Sequence, residues 1–289
     1  MGPLRFLHGI SVKSMADTSN RAVKYLNPVN YYRFARNSLV RGILKCGVPL
    51  RVTTRVDDQS IRFVVGSFLE YSLRARNSYT REQVTMQWIR DYIQPDDIVY
   101  DIGANVGAYS LLIGKKVALG AGKVLAFEPE SANYYSLNRN VQCNSLTGVV
   151  VPYPIAFGNR SRPSVFFLSS TVPGSAMHSV DKPVCDGESF SPRYVQGIYV
   201  VSVDEFCAAD DSLFPNHIKI DVDGLEKQVV ESMRQVLQDS RLRTVMIEIA
   251  DQVSNGHVES MIRQHGFAET LRERWPGKEV YNILYVRQS

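Results

Sequence analysis

Asp101-Ile102-Gly103-Ala104-Asn105-Val106-Gly107 is the stretch on which the fold is read. It follows the apolar Ile98, Val99 and Tyr100 and precedes an apolar-rich run to Val117, so it reads as a strand that turns through glycines into a helix. Such a passage is where open α/β sheets bind ligands. The spacing Asp-x-Gly-x-Asn-x-Gly lacks the third glycine of pyrophosphate-binding loops, which favours a nucleoside pocket over a dinucleotide one. About 20 residues further on, Phe127-Glu128-Pro129 ends a second strand with a carboxylate able to accept two hydrogen bonds from ribose hydroxyls. That acid suits NAD as well as other nucleosides and does not by itself choose a ligand. A glycine turn that binds nothing is the plainer alternative.

Outward from the loop, strands and helices alternate, the pattern of a parallel sheet covered on both faces. Strands are expected at 98–101, 123–127, 149–155, 217–221 and 244–249, and helices at 107–117, 131–142, 224–238 and 257–265. Residues 267–271 and 280–286 read as a final antiparallel pair joined through Trp275-Pro276-Gly277. Residues 156–203 break the alternation with short apolar runs separated by Pro, Gly and Ser, an insertion placed to roof a substrate crevice. Upstream, residues 1–28 are polar and irregular, 29–45 form a basic amphipathic helix, 50–56 and 61–65 form a hairpin, and Val84, Trp88 and Ile89 recur at helical spacing. The expected organisation is a basic N-terminal extension over 1–79, helix plus hairpin, and one α/β domain over 80–289.

A chain of 289 residues, 44% hydrophobic and 21% charged, has room for that arrangement. It holds no apolar run of the roughly 18 residues that a membrane span needs, and no clean signal peptide. Cys46, Cys143, Cys185 and Cys207 lie far apart without metal-ligand or disulfide spacing, so a soluble protein of the cytoplasm is expected. The formal net charge of +4 is uneven, because ten Lys or Arg in residues 1–55 face the single acid Asp17. The basic helix either packs on the main domain or touches anionic lipid, the second reading giving peripheral membrane contact. An organellar transit peptide is a third reading of an Arg-rich, acid-poor terminus.

With these pieces in order, the sequence resembles the FkbM family of class I Rossmann-like methyltransferases. The resemblance is carried by Asp101 to Ser110, Ala126-Phe127-Glu128-Pro129, Leu137 with Asn140 and Asn144, Ala156-Phe157-Gly158, Val201 to Asp204, Lys219 to Glu226, and Ile247-Glu248. It implies a mostly parallel sheet whose final strand is antiparallel, with S-adenosylmethionine as donor and O-methylation of a hydroxyl on a sugar or related natural product. It also implies that Asp101, Gly103, Asn105 and Gly107 border the methionine and ribose parts, that Glu128 holds the ribose, and that Ile155 and Ala156 lie near the adenine. Many class I enzymes carry an acid or Asn where this chain has Ala156-Phe157.

Lys219-Ile220-Asp221-Val222-Asp223-Gly224-Leu225-Glu226 alternates charged and apolar residues, which puts Lys219, Asp221 and Asp223 on one face of a strand. A central parallel strand cannot bury three charges cheaply, so they are expected at its carboxyl end, in the crevice beside the glycine loop. Methyl transfer to a hydroxyl needs positioning and a base. Asp221 is the first candidate base, with Asp223 or Glu226 as substitutes and Lys219 compensating the carboxylates or holding the acceptor oxygen. The competing reading has Asp221 orienting backbone and cofactor while Glu226 starts a helix near its positive dipole end. Binding of Mg²⁺ by Asp221, Asp223 and Glu226 is a third reading, but their spacing alone makes no ligand cage and no metal is assigned.

His178 is either a solvated loop residue or a base, His217 is structural, and Glu248 is either an acceptor contact or a hydrogen-bonded rim. Two rival functions remain at this stage. A nucleic-acid methyltransferase would use the basic terminus on phosphates, although no target-base motif such as Asn-Pro-Pro-Tyr follows the fourth strand. A non-catalytic cofactor-binding scaffold would attach to a membrane through the basic helix.

Overall fold

The computed structural model describes residues 28–185, 187–250 and 256–288. The chain divides into two compact units, Met1–Val48 and Pro49–Ser289. In the smaller unit, helix α1 spans Pro28–Lys45. Proline opens it where an N–H needs no intrahelical partner, and Lys45 suits the negative end of the helix dipole. The polar stretch 1–28 lies, Pro28 apart, outside the described residues. Among those residues, no helix is long and apolar enough to cross a membrane.

The larger unit opens with the hairpin β1 (Leu50–Val56) and β2 (Gln59–Val65). Val56 pairs with Gln59, so Asp57 and Asp58 alone make the turn, Asp57 at a φ of 50°. A π-helical turn (Glu70–Ala75), α2 (Ser78–Arg81) and α3 (Gln83–Asp91) follow, with Val84, Trp88 and Ile89 of α3 buried as their spacing requires. Then come β3 (Ile98–Ile102), α4 (Ala108–Val117), β4 (Lys123–Phe127), α5 (Ser131–Cys143) and β5 (Val150–Tyr153). The insertion contributes β6 (Ala156–Phe157), β7 (Arg162–Leu168), β8 (Ser179–Val180), β9 (Val184–Cys185), β10 (Glu188–Ser189) and β11 (Tyr194–Val201). The chain ends with α6 (Val203–Ala209), β12 (His217–Ile220), α7 (Glu226–Glu231), α8 (Arg234–Gln238), β13 (Thr244–Ala250), α9 (His257–Gln264), β14 (Phe267–Arg274) and β15 (Val280–Arg287).

Seven strands form the central sheet in the order β14-β15-β13-β12-β3-β4-β5. Every pairing from β13 through β12, β3 and β4 to β5 is parallel, while β15 runs antiparallel to both β13 and β14. This is the expected mostly parallel sheet with a reversed final strand. The chain winds outward from β3 through β4 to β5, then returns to the other side of β3 at β12, which makes a switch point between β3 and β12.

Two elements differ from their sequence reading. The strand expected over 149–155 stops at Tyr153, because Pro154 cannot donate to the ladder, and Ala156–Phe157 pairs instead with β11. The helix expected over 224–238 is broken at Ser232 and Met233. There the Ser232 carbonyl accepts from Asp204 N–H and the Ser202 hydroxyl, and Ser232 Oγ accepts from Val203 N–H, so Ser232 is turned toward α6. At the amino end of the sheet, away from the crevice described below, buried His217 bridges Asp97 (2.9 Å) and Thr244 (2.6 Å), the structural role expected of it.

The hairpin is held to α5 by side chains. Asn140 Oδ1 accepts from Val64 N–H (2.8 Å) while its Nδ2 donates to the Val106 carbonyl (2.9 Å), and Asn144 Oδ1 accepts from Arg62 N–H (2.9 Å). Asn140→Ala leaves two backbone groups without partners and should cost about 2–6 kcal/mol, from roughly 1–3 kcal/mol for each unmet group. Urea unfolding would measure it, and a loss under about 0.5 kcal/mol, the range of ordinary surface substitutions, would contradict the clamp.

Candidate functional site

Beyond the carboxyl ends of β3, β4, β12 and β13 lies an open crevice, the place where such sheets bind ligands. Its floor depends on Gly103. At a φ of 83°, a Cβ there would sit 1.8 Å from the Asp221 carbonyl oxygen, so only glycine lets the ends of β3 and β12 meet. Gly107, at 87°, faces Leu137 instead, whose Cδ1 would lie 2.5 Å from an added Cβ. It seats α5 against the loop and does not line the crevice.

Between them Asn105 adopts a φ of 50°, a region that asparagine tolerates better than most residues. Its N–H donates to Glu128 Oε2 (2.8 Å), and Glu130 N–H donates to Glu128 Oε1 (2.8 Å). Burial pushes the Glu128 carboxyl up to about 8 against the pull of these two donors. The carboxylate is thereby aimed at the crevice from a fixed position at the end of β4.

Of the other expected residues, Asp221, Ile155 and Ala156 line the crevice, whereas Asp101, Lys219 and Glu226 lie behind its wall. Lys219 is 3% exposed and lies buried on the side of Asp221 instead of opening into the crevice as expected. Its Nζ sits 2.7 Å from Asp221 Oδ2 and 4.0 Å from Asp101 Oδ1, and 5.1 Å from the centre of the Tyr109 ring. Burial works against its charge, yet Asp221, Asp101 and Glu82 together hold its pKa above the ordinary lysine value. The cost of burying one charge is thus met by pairing instead of exposure.

Asp101 is raised by burial, while Lys219 and the Ser110 hydroxyl that donates to its Oδ2 oppose the shift. Glu226 Oε1 accepts from Gly224 N–H (2.9 Å) and opens α7, which matches its helix-starting reading.

Several lining residues were not legible in the sequence. Arg74 comes from the π-helical turn, which leaves no periodic signal, and Arg81 and Glu82 come from the junction of α2 and α3, where Glu82 looks like a helix start. Burial raises Glu82 to about 7, with Lys219 opposing and Asp221 adding to the shift. Glu248 is pushed well above the usual carboxylate range, first by burial and then by Asp221 and Glu82. Trp275 Nε1 donates to Glu248 Oε2 (2.6 Å), and the Arg81 guanidinium lies 4.7 Å from the Trp275 ring centre. Trp275 is therefore part of a crevice wall as well as the expected turn, and Glu248 is a hydrogen-bonded residue of the crevice lining.

The insertion roofs the crevice. Its sheet runs β6-β11-β7-β8, and the loop between β7 and β8 is tied down on four sides. Ser67 Oγ donates to the Pro173 carbonyl (2.6 Å), Arg74 Nε to that of Gly174 (3.0 Å), and the side-chain amides of Asn105 (2.7 Å) and Asn133 (3.1 Å) to that of Ser175. Met177 N–H donates to Asp223 Oδ2 (2.6 Å). His178, only 6% exposed, is not the solvated loop residue that its surroundings in the sequence suggested.

The family described as "Methyltransferase FkbM domain" matches residues 101–268. A protein of Haloferax volcanii named hexuronic acid methyltransferase AglP is 26% identical over 194 residues, 67% of this chain and 72% of that protein. "Methyltransferase 1" of Beauveria bassiana is 24% identical over 209 residues, covering 67% of this chain and 82% of that one. Among solved structures, the crystal structure of methyltransferase FkbM from Methylobacillus flagellatus KT aligns with a TM-score of 0.46 at 17% identity, over 67% of this chain and 44% of that chain.

The Glu82 carboxyl predicts a pH dependence. It titrates near 7 in the folded chain against an ordinary 4.5, so between those values the unfolded chain releases a proton that the folded chain keeps. Stability from this group therefore falls as pH rises through that window. Glu82→Gln removes the loss, and its stability relative to wild type should be higher at about pH 8 than at about pH 5 in urea unfolding. An equal difference at the two pH values would rule out the assignment.

Proposed function

Because the chain belongs to the FkbM methyltransferase family, we propose that this methyltransferase uses S-adenosylmethionine to methylate a hydroxyl of a sugar or related natural product. The observation that carries the donor is Glu128, fixed by the Asn105 and Glu130 N–H groups at the mouth of the switch point. Its carboxylate is positioned to accept hydrogen bonds from a ribose diol. Gly103 lets the ends of β3 and β12 meet beneath the ligand, and Ile155, Ala156 and Phe166 supply an apolar wall. When bound, S-adenosylmethionine supplies a methyl group on a sulfonium, which departs as the neutral thioether.

The acceptor side is proposed to be the region of Glu82, Asp221, Glu248 and Trp275. Asp221, whose Oδ2 lies 2.7 Å from the buried Lys219 Nζ, takes the proton of the acceptor hydroxyl as its oxygen is methylated. Lys219 acts through Asp221 and holds its charge and direction. Glu82 and Glu248, raised by burial, offer hydrogen bonds to neighbouring hydroxyls, and Trp275 offers apolar surface to a sugar ring. The relative named a hexuronic acid methyltransferase supports a carbohydrate acceptor.

Helix α1, with Arg33, Arg36, Arg41 and Lys45 and no acid, belongs to the proposal as a contact with anionic membrane surface. Flotation with anionic vesicles should recover the full chain and not a chain lacking residues 1–48. Equal recovery of both would remove the contact.

Calorimetric titration of the purified protein with S-adenosylhomocysteine should show binding, and its absence would sink the donor assignment. Asp221→Asn should lower kcat by about 100-fold to 10,000-fold, the range for loss of a general base, and should change S-adenosylhomocysteine affinity by less than about threefold. Undiminished turnover in that variant would dismiss Asp221 as the base.

A further inference from the structure

His178 lines the crevice and carries a buried ring nitrogen that has no partner among the described residues. Its Nδ1 accepts from Ser169 N–H (3.2 Å), which places the ring proton on Nε2. Nε2 is buried and has no hydrogen-bond partner among the described residues. Burial also lowers the pKa of the imidazole, so the ring is a neutral donor at physiological pH. An unmet buried donor costs about 1–3 kcal/mol, which a ligand acceptor placed against it would recover.

The surroundings state what kind of acceptor fits. The ring meets Phe166 edge to face at 5.7 Å between centroids, and Phe166 is paired in register with Val180. Both line the crevice, as do Ile155, Ala156 and Leu225, so apolar surface is available on the wall to which His178 belongs, while Arg74 and Glu130 are the charges that act on the ring. A flat heteroaromatic ring with an acceptor nitrogen at its edge satisfies both features, whereas a sugar or carboxylate would leave that apolar surface facing polar groups.

We propose that His178, supplied by the insertion, recognises the purine of the donor by donating Nε2–H to one of its ring nitrogens. This rests on the reading above that the crevice holds S-adenosylmethionine. It gives the insertion a role in donor recognition, since the loop carrying His178 is fixed through the Ser175 carbonyl to Asn105, whose N–H donates to the ribose carboxylate Glu128.

The test is calorimetric titration with S-adenosylhomocysteine and its 1-deaza, 3-deaza and 7-deaza analogues, in which one ring nitrogen at a time becomes C–H. Wild type should lose about tenfold in affinity for one of the three analogues, the equivalent of about 1.4 kcal/mol. His178→Phe should bind S-adenosylhomocysteine about tenfold more weakly than wild type and be indifferent to that same replacement. Wild-type binding that ignores all three replacements overturns the proposal without any variant, as does a His178→Phe protein that keeps the wild-type preference. No binding of S-adenosylhomocysteine by wild type overturns the donor reading and this inference with it, an outcome distinct from binding without discrimination.

Discussion

A single buried ammonium governs this site. Lys219 lies directly across the ladder from Asp101 and two residues before Asp221, so the carboxylates that the switch point brings together are joined through one cation. At 3% exposure Lys219 has exchanged water for Asp221, Asp101 and the Tyr109 ring. Removal of one partner from such a set leaves the others charged and buried, which costs far more than the set contributes when intact. The direction of Asp221 into the crevice, and the closeness of the β3 and β12 ends that Gly103 allows, follow from that compensation.

Around this centre, helix α5 acts as a junction. Asn133, Leu137, Asn140 and Asn144 are spaced by four, three and four residues and so lie along one stripe of the helix. Together they serve three neighbours. Asn133 holds the roof through Gly174 and Ser175, Leu137 fills the space that Gly107 leaves, and Asn140 and Asn144 pair with the hairpin backbone. The loop, the roof and the hairpin are therefore positioned by one rigid element. A crevice assembled this way reaches its ligand with groups already in place.

Among the carboxyls that line this crevice, Asp221, Glu82 and Glu248 have different electrostatic settings. Asp221 has a cation at 2.7 Å, whereas burial dominates at Glu82 and Glu248 and favours their neutral forms. Carboxyls that keep their protons can donate hydrogen bonds to a polyhydroxyl molecule as well as accept them, which carboxylates cannot do.

What the sequence by itself determined is what local chain geometry and periodicity control. The glycine turn after β3, the carboxylate closing β4, the alternation that makes a parallel sheet and the reversed final pair are all written in residues close together in the chain. Tertiary structure alone decided which side chains share the crevice. Arg74, Glu82, His178, Glu248 and Trp275 meet there from five separate segments, and no local pattern reports that meeting. The fate of Lys219 has the same cause. Alternation set it on a face with Asp221, but only its register against Asp101 and the covering by Tyr109 made burial of the charge affordable. Protonation follows burial and neighbours, and both are properties of the packed chain.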